Sequence, residues 1–188
     1  GTDTGGSVRM PASYCGIVGI KPTYGLVPIR GIMPLTLSLD HCGPMTRTVR
    51  DNALMLGVMA GPDRYDITSG EHPAEDYVAQ MEQPVSGLRL GLPAGYFDDL
   101  DPEVAAAVET AAALLGKLTR GIADCALPGV THLGNLGGLG ETLAWHEQYF
   151  RNQPGKYMLN ERRRLQSIAD AKPLATEYIR AKWEIEAV

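Results

Sequence analysis

Residues 1–9 have the sequence Gly1-Thr2-Asp3-Thr4-Gly5-Gly6-Ser7-Val8-Arg9, a glycine-rich turn that leads directly into a serine. Consecutive glycines adopt positive φ without steric cost and leave room for a close approach to the backbone. Successive N–H groups in such a turn converge into a small anion-binding concavity. A serine hydroxyl beside those donors is typical of a nucleophile with an oxyanion hole. The opposite charges of Asp3 and Arg9 predict a charge-assisted hydrogen bond that fixes the shape of the turn.

Three other interpretations of this stretch are weaker. A phosphate-binding P-loop requires a lysine after its last glycine, where this chain has Ser7. A dinucleotide-binding turn requires G-x-G-x-x-G directly after a strand, a context that this stretch does not show. A plain surface turn is the default interpretation of an arbitrary Gly-Gly-Ser, because glycine and serine are common in loops. The residues that follow the turn decide against this default.

Four ungapped segments carry a resemblance to a known family. Residues 1–12 (GTDTGGSVRMPA) and 15–25 (CGIVGIKPTYG) closely resemble the second half of the amidase signature. Residues 38–45 (SLDHCGPM) and 47–51 (RTVRD) extend the similarity. Because these motifs are long and contain no gaps, the resemblance is highly specific. A looser likeness, in the order of strands and helices, continues to the last residue of the chain.

The resemblance implies an amidohydrolase with a Ser–Ser–Lys mechanism. In this family the serine after the Gly-Gly pair attacks an amide or ester carbonyl, and that position is Ser7. Backbone N–H groups of the preceding turn form the oxyanion hole, which here implies Thr4, Gly5, Gly6 and Ser7. A second serine, held by a cis peptide bond, passes the proton to a lysine base. No cofactor and no metal are implied, because nucleophile, relay and base are all protein groups.

The family's relay serine and lysine base lie upstream of its Gly-Thr-Asp-Thr-Gly-Gly-Ser motif, so residues 1–188 do not include them. We therefore expect a central fragment of an amidase-signature domain, without the Lys/cis-Ser part and without the C-terminal part. The expected fold is α/β, with helices around a central mixed β-sheet. Residues 1–188 alone are expected to be inactive and not a stable monomer, because Ser7 has no base and unpaired strand edges favour aggregation.

Two alternative functions stay open at this point. The A subunit of a tRNA-dependent amidotransferase uses the same chemistry to release ammonia from glutamine for a partner protein, and residues 24–28 do not discriminate between the two enzymes. A non-catalytic remnant that only binds a partner belongs to a different functional class. Both enzymes would act on a small-molecule amide. The full-length protein is expected to form a homodimer or to bind a partner subunit.

The composition excludes several classes of function. Of the 188 residues 44% are hydrophobic, and the formal net charge is −5. A chain of this kind is globular and has no electrostatic basis for nucleic-acid binding. No apolar run approaches the length of a membrane span. The wide spacing of the cysteines predicts reduced thiols and a cytoplasmic protein; they are Cys15, Cys42 and Cys125.

Histidine and lysine residues offer few alternatives for catalysis. The sequence has four histidines, His41, His72, His132 and His146. No two of them have the spacing of metal ligands. A Ser7–His41–Asp40 triad is conceivable, but neighbouring side chains in an extended chain point in opposite directions, which favours a structural His41. Lys21 is an alternative candidate for the base, and this role would require burial beside Ser7 and a lowered pKa. The resemblance instead implies a structural role for this lysine.

Periodicity and turn residues predict the remaining elements of the first part of the chain. A short helix is expected within residues 7–15, a buried strand at Ile17–Ile20 and a long loop over residues 23–44. Thr48 is predicted to cap a helix, which would end at Gly61-Pro62 and bury one face made of Val49, Ala53, Leu56 and Ala60. A short helix is predicted near Ala74–Met81.

A βαβ unit and three helices are predicted for the rest of the chain. Its strands are expected at Leu88–Leu92 and Cys125–Leu127, with a parallel pairing. The helix between them starts at Asp101-Pro102-Glu103 and has an apolar stripe of Val104, Val108, Ala111, Leu115 and Leu118. The final helices are expected at about residues 137–150, 154–168 and 173–188.

Overall fold

The structure is a computed structural model that describes residues 1–73, 75–126, 136–172 and 174–186. Two compact units divide the chain. The first consists of Gly1–Met81 with Leu133–Ala187, and the second of Glu82–His132 with Val188. The glycine-rich turn and the other motifs of residues 1–51 all lie in the first unit.

Two short antiparallel strand pairs surround the glycine-rich turn. β1 (Thr2–Asp3) pairs with β3 (His41–Cys42). β2 (Val18–Gly19) pairs with β4 (Met45–Thr46). The buried strand predicted at Ile17–Ile20 is therefore only two residues long and half-buried. Both pairs join segments that are distant in the sequence, and they bring the motif of residues 38–45 beside the turn.

The predicted short helix is present as α1 (Arg9–Cys15). Pro11 lies in its first turn, where the missing N–H costs no intrahelical hydrogen bond. The helix ends at Gly16, which has a left-handed φ of 63°. Gly19 passes so close to the helix that a Cβ there would lie 2.6 Å from that of Ala12. The close packing of strand and helix at this point requires glycine.

The helix α2 (Val49–Met59) begins as predicted at Thr48, whose Oγ1 accepts a hydrogen bond from the N–H of Asp51 at 3.1 Å. Its predicted apolar face is only partly buried. Leu56 is buried, whereas Val49 is 58% exposed. The helical spacing of the apolar residues therefore did not show which turn of α2 faces the interior. The next helix, α3 (Tyr77–Gln80), is shorter than predicted.

The buried residue on α2 that periodicity did not indicate is Asn52, which is 4% exposed. Its Nδ2 donates to the carbonyls of Val18 at 3.3 Å and Pro44 at 3.2 Å, and lies 3.2 Å from Oγ1 of Thr46. Buried carbonyls require donors, and here a side chain supplies them. Asn52 thereby attaches α2 to the β2–β4 pair.

The second unit contains the predicted βαβ arrangement. β5 (Leu90–Pro93) and β6 (Ile122–Cys125) are parallel, with Leu90 opposite Ile122. The connecting helix α4 (Pro102–Leu118) is capped by Asp101, whose Oδ1 accepts from the N–H of Glu103 at 3.0 Å. The apolar stripe predicted on α4 is half-exposed, since no residue of this helix is buried.

The second strand of this unit lies earlier than predicted. β6 ends at Cys125, where a strand at Cys125–Leu127 was predicted, and Leu127 lies outside the described residues. Gly121, with φ 117°, turns the chain directly after α4. β6 therefore starts at Ile122, opposite Leu90 of β5. This start lies before the apolar residues 125–127 from which the strand was predicted.

Three helices complete the first unit. α5 (Leu136–Asn152) contacts both α6 (Leu159–Ala171) and α7 (Ala175–Glu186). The predicted helices are confirmed with shifted bounds, because Pro154–Lys156 forms a separate 3-10 turn before α6. Among the described residues, no helix is both long and apolar enough to cross a membrane.

The α/β class is confirmed, but the described residues contain three separate two-stranded sheets in place of one central mixed sheet. Two pairs are antiparallel and one is parallel. Proline shortens the strands because it has no N–H for a ladder hydrogen bond. Pro22 follows β2 closely, Pro44 separates β3 from β4, and Pro93 is the last residue of β5.

Candidate active site

Asp3 organises the glycine-rich turn from inside. Its side chain is fully buried, at 0% exposure. Oδ1 accepts a hydrogen bond from the N–H of Gly6 at 2.7 Å, and Oδ2 accepts one from the N–H of Val8 at 3.2 Å. Arg9 donates Nε to Oδ2 and Nη2 to Oδ1, both at 2.9 Å. One carboxylate therefore joins both ends of the loop that carries Ser7, and its charge is balanced by a two-point ion pair.

The ion pair makes the ionised form of Asp3 strongly favourable. The Arg9 guanidinium holds the pKa of Asp3 far below its ordinary range; burial opposes this, and the N–H groups of Gly6, Val8 and Arg9 reinforce it. The same bond raises the pKa of Arg9, against a smaller opposing effect of burial. Both groups are therefore charged at any physiological pH.

This depressed pKa predicts a loss of stability in acid. In the unfolded chain the pKa of Asp3 is about 3.9, so ionised Asp3 stabilises the fold above that pH, and the stabilisation is lost as the pH falls toward the folded pKa. We expect the free energy of unfolding of the intact protein, measured by denaturant titration, to decrease between about pH 4 and about pH 2. The decrease should be smaller in Asp3→Asn but unchanged in Asp99→Asn, an exposed control. Equal slopes in wild type and Asp3→Asn would contradict this.

Ser7 lies between Gly6 and α1, and its side chain is exposed. Gly6 has φ 129°, a conformation that residues with a side chain rarely adopt. The second glycine of the pair is thus required to direct the chain into the serine and the helix after it. Within the described part of the chain, the Ser7 hydroxyl has no hydrogen-bond partner.

Only some of the turn N–H groups are free to bind an anion. The N–H of Gly6, one of the four implied oxyanion donors, already donates to the carboxylate of Asp3. The N–H groups of Gly5 and Ser7 have no partner among the described residues. The negative charge of Asp3 also makes Gly6 the least suitable donor to a second anion, so Gly6 serves the structure of the turn itself.

A second buried carboxylate, Asp40, holds the turn from the opposite side. It is 5% exposed, and its Oδ1 accepts a hydrogen bond from Oγ1 of Thr4 at 2.5 Å. Its Oδ2 accepts from the N–H groups of Leu35 at 2.8 Å and Thr36 at 3.1 Å. Asp40 therefore connects the loop of residues 35–40 to the residue that precedes the Gly-Gly pair. The sequence suggested Asp40 only as a partner of His41, and no local pattern indicated this contact.

His41 and Asp40 do not form a triad with Ser7. Nδ1 of His41 lies 2.6 Å from the carbonyl of Leu39, and Nε2 lies 3.1 Å from Nζ of Lys21. The backbone of His41 pairs with Asp3 across the β1–β3 ladder, whereas Asp40 faces Thr4. The adjacent side chains thus have separate partners, as the extended geometry predicts.

Lys21 forms no hydrogen bond with Ser7. Its Nζ is 3.1 Å from both Nε2 of His41 and the carbonyl of Pro22. The hypothesis that Lys21 is a substitute base would require a bond to the Ser7 hydroxyl, and that bond is missing from the described structure. Lys21 connects the chain after β2 to β3.

The loop of residues 34–40 is held by α5. Glu141 accepts hydrogen bonds from the N–H of Ser38 at 2.8 Å and from its Oγ at 2.7 Å. Oγ1 of Thr142 donates to the carbonyl of Leu35 at 2.7 Å, and Nε2 of His146 lies 3.1 Å from the carbonyl of Pro34. These partners are more than a hundred residues apart in sequence, so no local signal could have indicated them.

Metal ligation has no support among the described residues, which contain no group of three or more histidine, cysteine or acidic side chains able to hold an ion. His146 is buried and bonds to Tyr157 and Pro34. His132 lies outside the described residues. The arrangement that the structure does present is an exposed serine on a rigid turn with unengaged backbone donors, which suits nucleophilic attack on a carbonyl.

Comparisons with known proteins show which family and fold this chain shares. The sequence profile of the Amidase family matches residues 1–171. The A subunit of glutamyl-tRNA(Gln) amidotransferase from Trichlorobacter lovleyi is 52% identical over 129 residues, which is 68% of this chain and 27% of that protein. The chain thus spans about a quarter of that relative's length.

Solved structures show the same fold over almost the whole chain. The A subunit of glutamyl-tRNA(Gln) amidotransferase from Thermotoga maritima is 30% identical with a TM-score of 0.72, covering 99% of this chain and 40% of that one. Native peptide amidase from Stenotrophomonas maltophilia is 30% identical with a TM-score of 0.78, covering 98% and 43%. The profile match over nine-tenths of the residues is sufficient to assign membership, and the chain belongs to the amidase family.

Proposed function

We propose that Ser7 is the nucleophile of an amidohydrolase that cleaves a carboxamide or ester through an acyl-enzyme intermediate. The observation that carries this proposal is the exposed, unbonded Ser7 hydroxyl on a turn held by the fully buried Asp3. A turn fixed on both sides costs little reorganisation when charge develops on the substrate, which is the condition for strong electrostatic catalysis.

The reaction proceeds in two balanced halves. Oγ of Ser7 forms a bond to the carbonyl carbon while its proton passes to the base, and the carbonyl oxygen becomes an oxyanion held by N–H groups of Thr4, Gly5 and Ser7. Collapse of this intermediate breaks the C–N bond, and the protonated base returns its proton to the leaving ammonia or amine. In the second half the base takes a proton from water, whose oxygen attacks the acyl carbon; the bond from this carbon to Oγ then breaks, the acyl group leaves as a carboxylic acid, and the base returns the proton to Oγ of Ser7. In the intact protein, the relay serine and lysine that the family resemblance implies would supply the relay and the base.

A second candidate is the A subunit of a tRNA-dependent amidotransferase, in which the same chemistry releases ammonia from glutamine. The 52% identity to a protein of that name supports it. In this case a partner protein would receive the ammonia, and glutamine hydrolysis would depend on that partner and on ATP. A stand-alone amidase would hydrolyse simple amides without either, so assays with and without partner and ATP discriminate the two. In both cases we propose a cytoplasmic protein whose intact domain contains one central mixed sheet.

The proposal is tested by covalent labelling of the intact protein with a fluorophosphonate, followed by peptide mass spectrometry. The expected adduct is on Ser7. Ser13→Ala, which removes a nearby exposed hydroxyl from α1, should label normally, and Ser7→Ala should not label at this peptide. A folded intact protein that leaves Ser7 unmodified would contradict the nucleophile assignment and favour the non-catalytic remnant.

Arg9 is expected to act on the rate more than on substrate binding. Arg9→Ala removes both hydrogen bonds to Asp3, so the turn loses preorganisation and kcat should fall about tenfold or more while KM changes little. Arg9→Lys should restore only part of the rate, because lysine cannot reproduce the two-point contact. Arg50→Ala, an exposed arginine on α2, is the control. A change confined to KM would indicate instead that Arg9 binds substrate.

Thr4 and Asp40 are expected to act as one unit. Thr4→Val removes the hydroxyl that bonds to Asp40 and should lower kcat about tenfold, since the N–H groups of the turn would be positioned less well. Asp40→Asn should lower it by a similar factor, and the double variant should be no worse than the more impaired single variant. Thr2→Val, which changes an exposed threonine of β1, should have little effect. Additive losses would show that the two residues act independently.

A further inference from the structure

A cavity of about 460 Å³ lies in the first unit between the loops after β2 and α2 on one side and the helices α5 and α7 on the other. Aromatic and apolar side chains line most of it, and Ser7 is not among the lining residues. Its size lies in the range that holds small-molecule ligands. The residues that give it chemical character are Tyr24, Leu37, Ile67, Glu141, Trp145 and Tyr178.

Glu141 brings a negative charge to the wall of this cavity. Its Oε1 accepts hydrogen bonds from Oγ of Ser38 and the hydroxyl of Tyr178, both at 2.7 Å, and Oε2 accepts from the N–H of Ser38 at 2.8 Å. Burial disfavours the ionised form, but these bonds outweigh it and hold the pKa of Glu141 below its ordinary value. The carboxylate is therefore ionised and fixed in position, and Oε2 has one acceptor site left.

The other polar groups of the cavity add no positive charge. The hydrogen bond to Glu141, together with burial, raises the pKa of Tyr178 to about 12, so its phenol is neutral. Burial raises the pKa of Tyr24, and the negative charges of Glu141, Asp66 and Asp40 raise it further. Lys182 opposes the charge of Glu141, but it does not line the cavity, and its effect on Glu141 is weaker than that of the hydrogen bonds. The electrostatic environment at Tyr24 and Glu141 is thus negative, which disfavours an anionic occupant.

Aromatic faces complete a site for a positive charge. Trp145 is 47% exposed and Tyr24 38% exposed although both line a concave surface, so their faces are available to a ligand. A cation near aromatic rings is attracted by their negative faces, and a carboxylate at the same place adds to this attraction. Leu37 and Ile67 offer an apolar surface for the remainder of a ligand.

We propose that this cavity binds an organic ammonium ion with an apolar body, with the ammonium beside Glu141 and the body against Tyr24, Trp145 and Leu37. The site does not require Ser7 or the chemistry proposed for it. It assigns to the first unit a binding function that is separate from the nucleophilic turn and selects ligands by charge.

The test compares three probes with the same phenyl body and different charges by isothermal titration calorimetry on the intact protein. They are 2-phenylethylammonium, neutral 2-phenylethanol and anionic 3-phenylpropionate. The ammonium is expected to bind at least about tenfold more tightly than the alcohol, and the carboxylate should not bind. Glu141→Gln should remove most of the preference for the ammonium, whereas Glu147→Gln, an exposed carboxylate on the same helix that pairs with Arg151, should preserve it.

A second variant is needed because Glu141→Gln could disturb the fold. The glutamine side chain would direct an amide N–H toward a donor of Ser38, where Glu141 accepts a hydrogen bond. Trp145→Leu keeps an apolar side chain but removes the aromatic face, and it should weaken the ammonium several-fold more than the alcohol. Equal affinities of the ammonium and the alcohol, absence of ammonium binding, or full affinity in both Glu141→Gln and Trp145→Leu would overturn the proposal. None of these results bears on fluorophosphonate labelling of Ser7, so failure of one proposal is distinguishable from failure of the other.

Discussion

Ser7→Ala is expected to reduce kcat/KM of the intact protein for amide hydrolysis about 10⁴-fold or more, as removal of a covalent nucleophile does in other serine hydrolases. The same variant should unfold at an unchanged denaturant concentration. The reason is that the Ser7 side chain is exposed and its hydroxyl has no partner in the described structure, so only a reacting group is lost. Rates are measured by ammonia or amine release, and stability by chemical denaturation of the same preparations.

Ser13→Ala is the matched control for this experiment, because it removes another exposed hydroxyl a few residues further along the chain, on α1. It should leave both the rate and the stability at the wild-type level. Activity of Ser7→Ala within about tenfold of wild type would exceed what binding and the oxyanion hole provide without a nucleophile. That result would place the nucleophile elsewhere and remove the basis of the proposed mechanism.

Asp3→Ala is expected to impair both stability and catalysis. The substitution leaves the N–H groups of Gly6 and Val8 buried without their acceptor and frees Arg9 from its two-point ion pair. Unsatisfied buried donors cost about 1–3 kcal/mol each, so the free energy of unfolding should fall by about 2–5 kcal/mol. Loss of the turn geometry should also lower kcat about 100-fold or more, by the argument that applies to misplaced oxyanion donors.

Asp63→Ala is a suitable comparison, because Asp63 also forms an ion pair, with Arg30 at 2.8 Å, but that arginine is largely exposed. An exposed ion pair of this kind contributes about 0–1 kcal/mol, and the site is not part of the turn. We expect Asp63→Ala to retain its activity. If Asp3→Ala were no less stable than Asp63→Ala and equally active, Asp3 would not be the residue that holds the turn.

Local signals were sufficient for several elements. The cap at Thr48, the Asp101-Pro102 start of α4 and the positions of α5, α6 and α7 follow from capping and periodicity, because their hydrogen bonds join residues only a few positions apart. The amidase resemblance similarly rests on contiguous motifs, and the profile match over residues 1–171 confirms it. The predicted bounds of the strands were less accurate, because a strand extends only as far as its hydrogen-bonded partner strand does.

The turn of residues 1–9 could be predicted without coordinates: its glycines, its serine, and the pair of opposite charges that meet as the Asp3–Arg9 bridge. The surroundings of that turn depend on tertiary contacts. Three hydrogen bonds of these surroundings connect residues that are 34 to 103 positions apart. They join Thr4 to Asp40, Ser38 to Glu141 and Asn52 to Val18. A polar side chain gives no sign of its partner in the sequence, because any buried donor or acceptor can satisfy it. Chain folding selects which one does, and this selection placed the carboxylate of Asp40 against Thr4 of the glycine-rich turn.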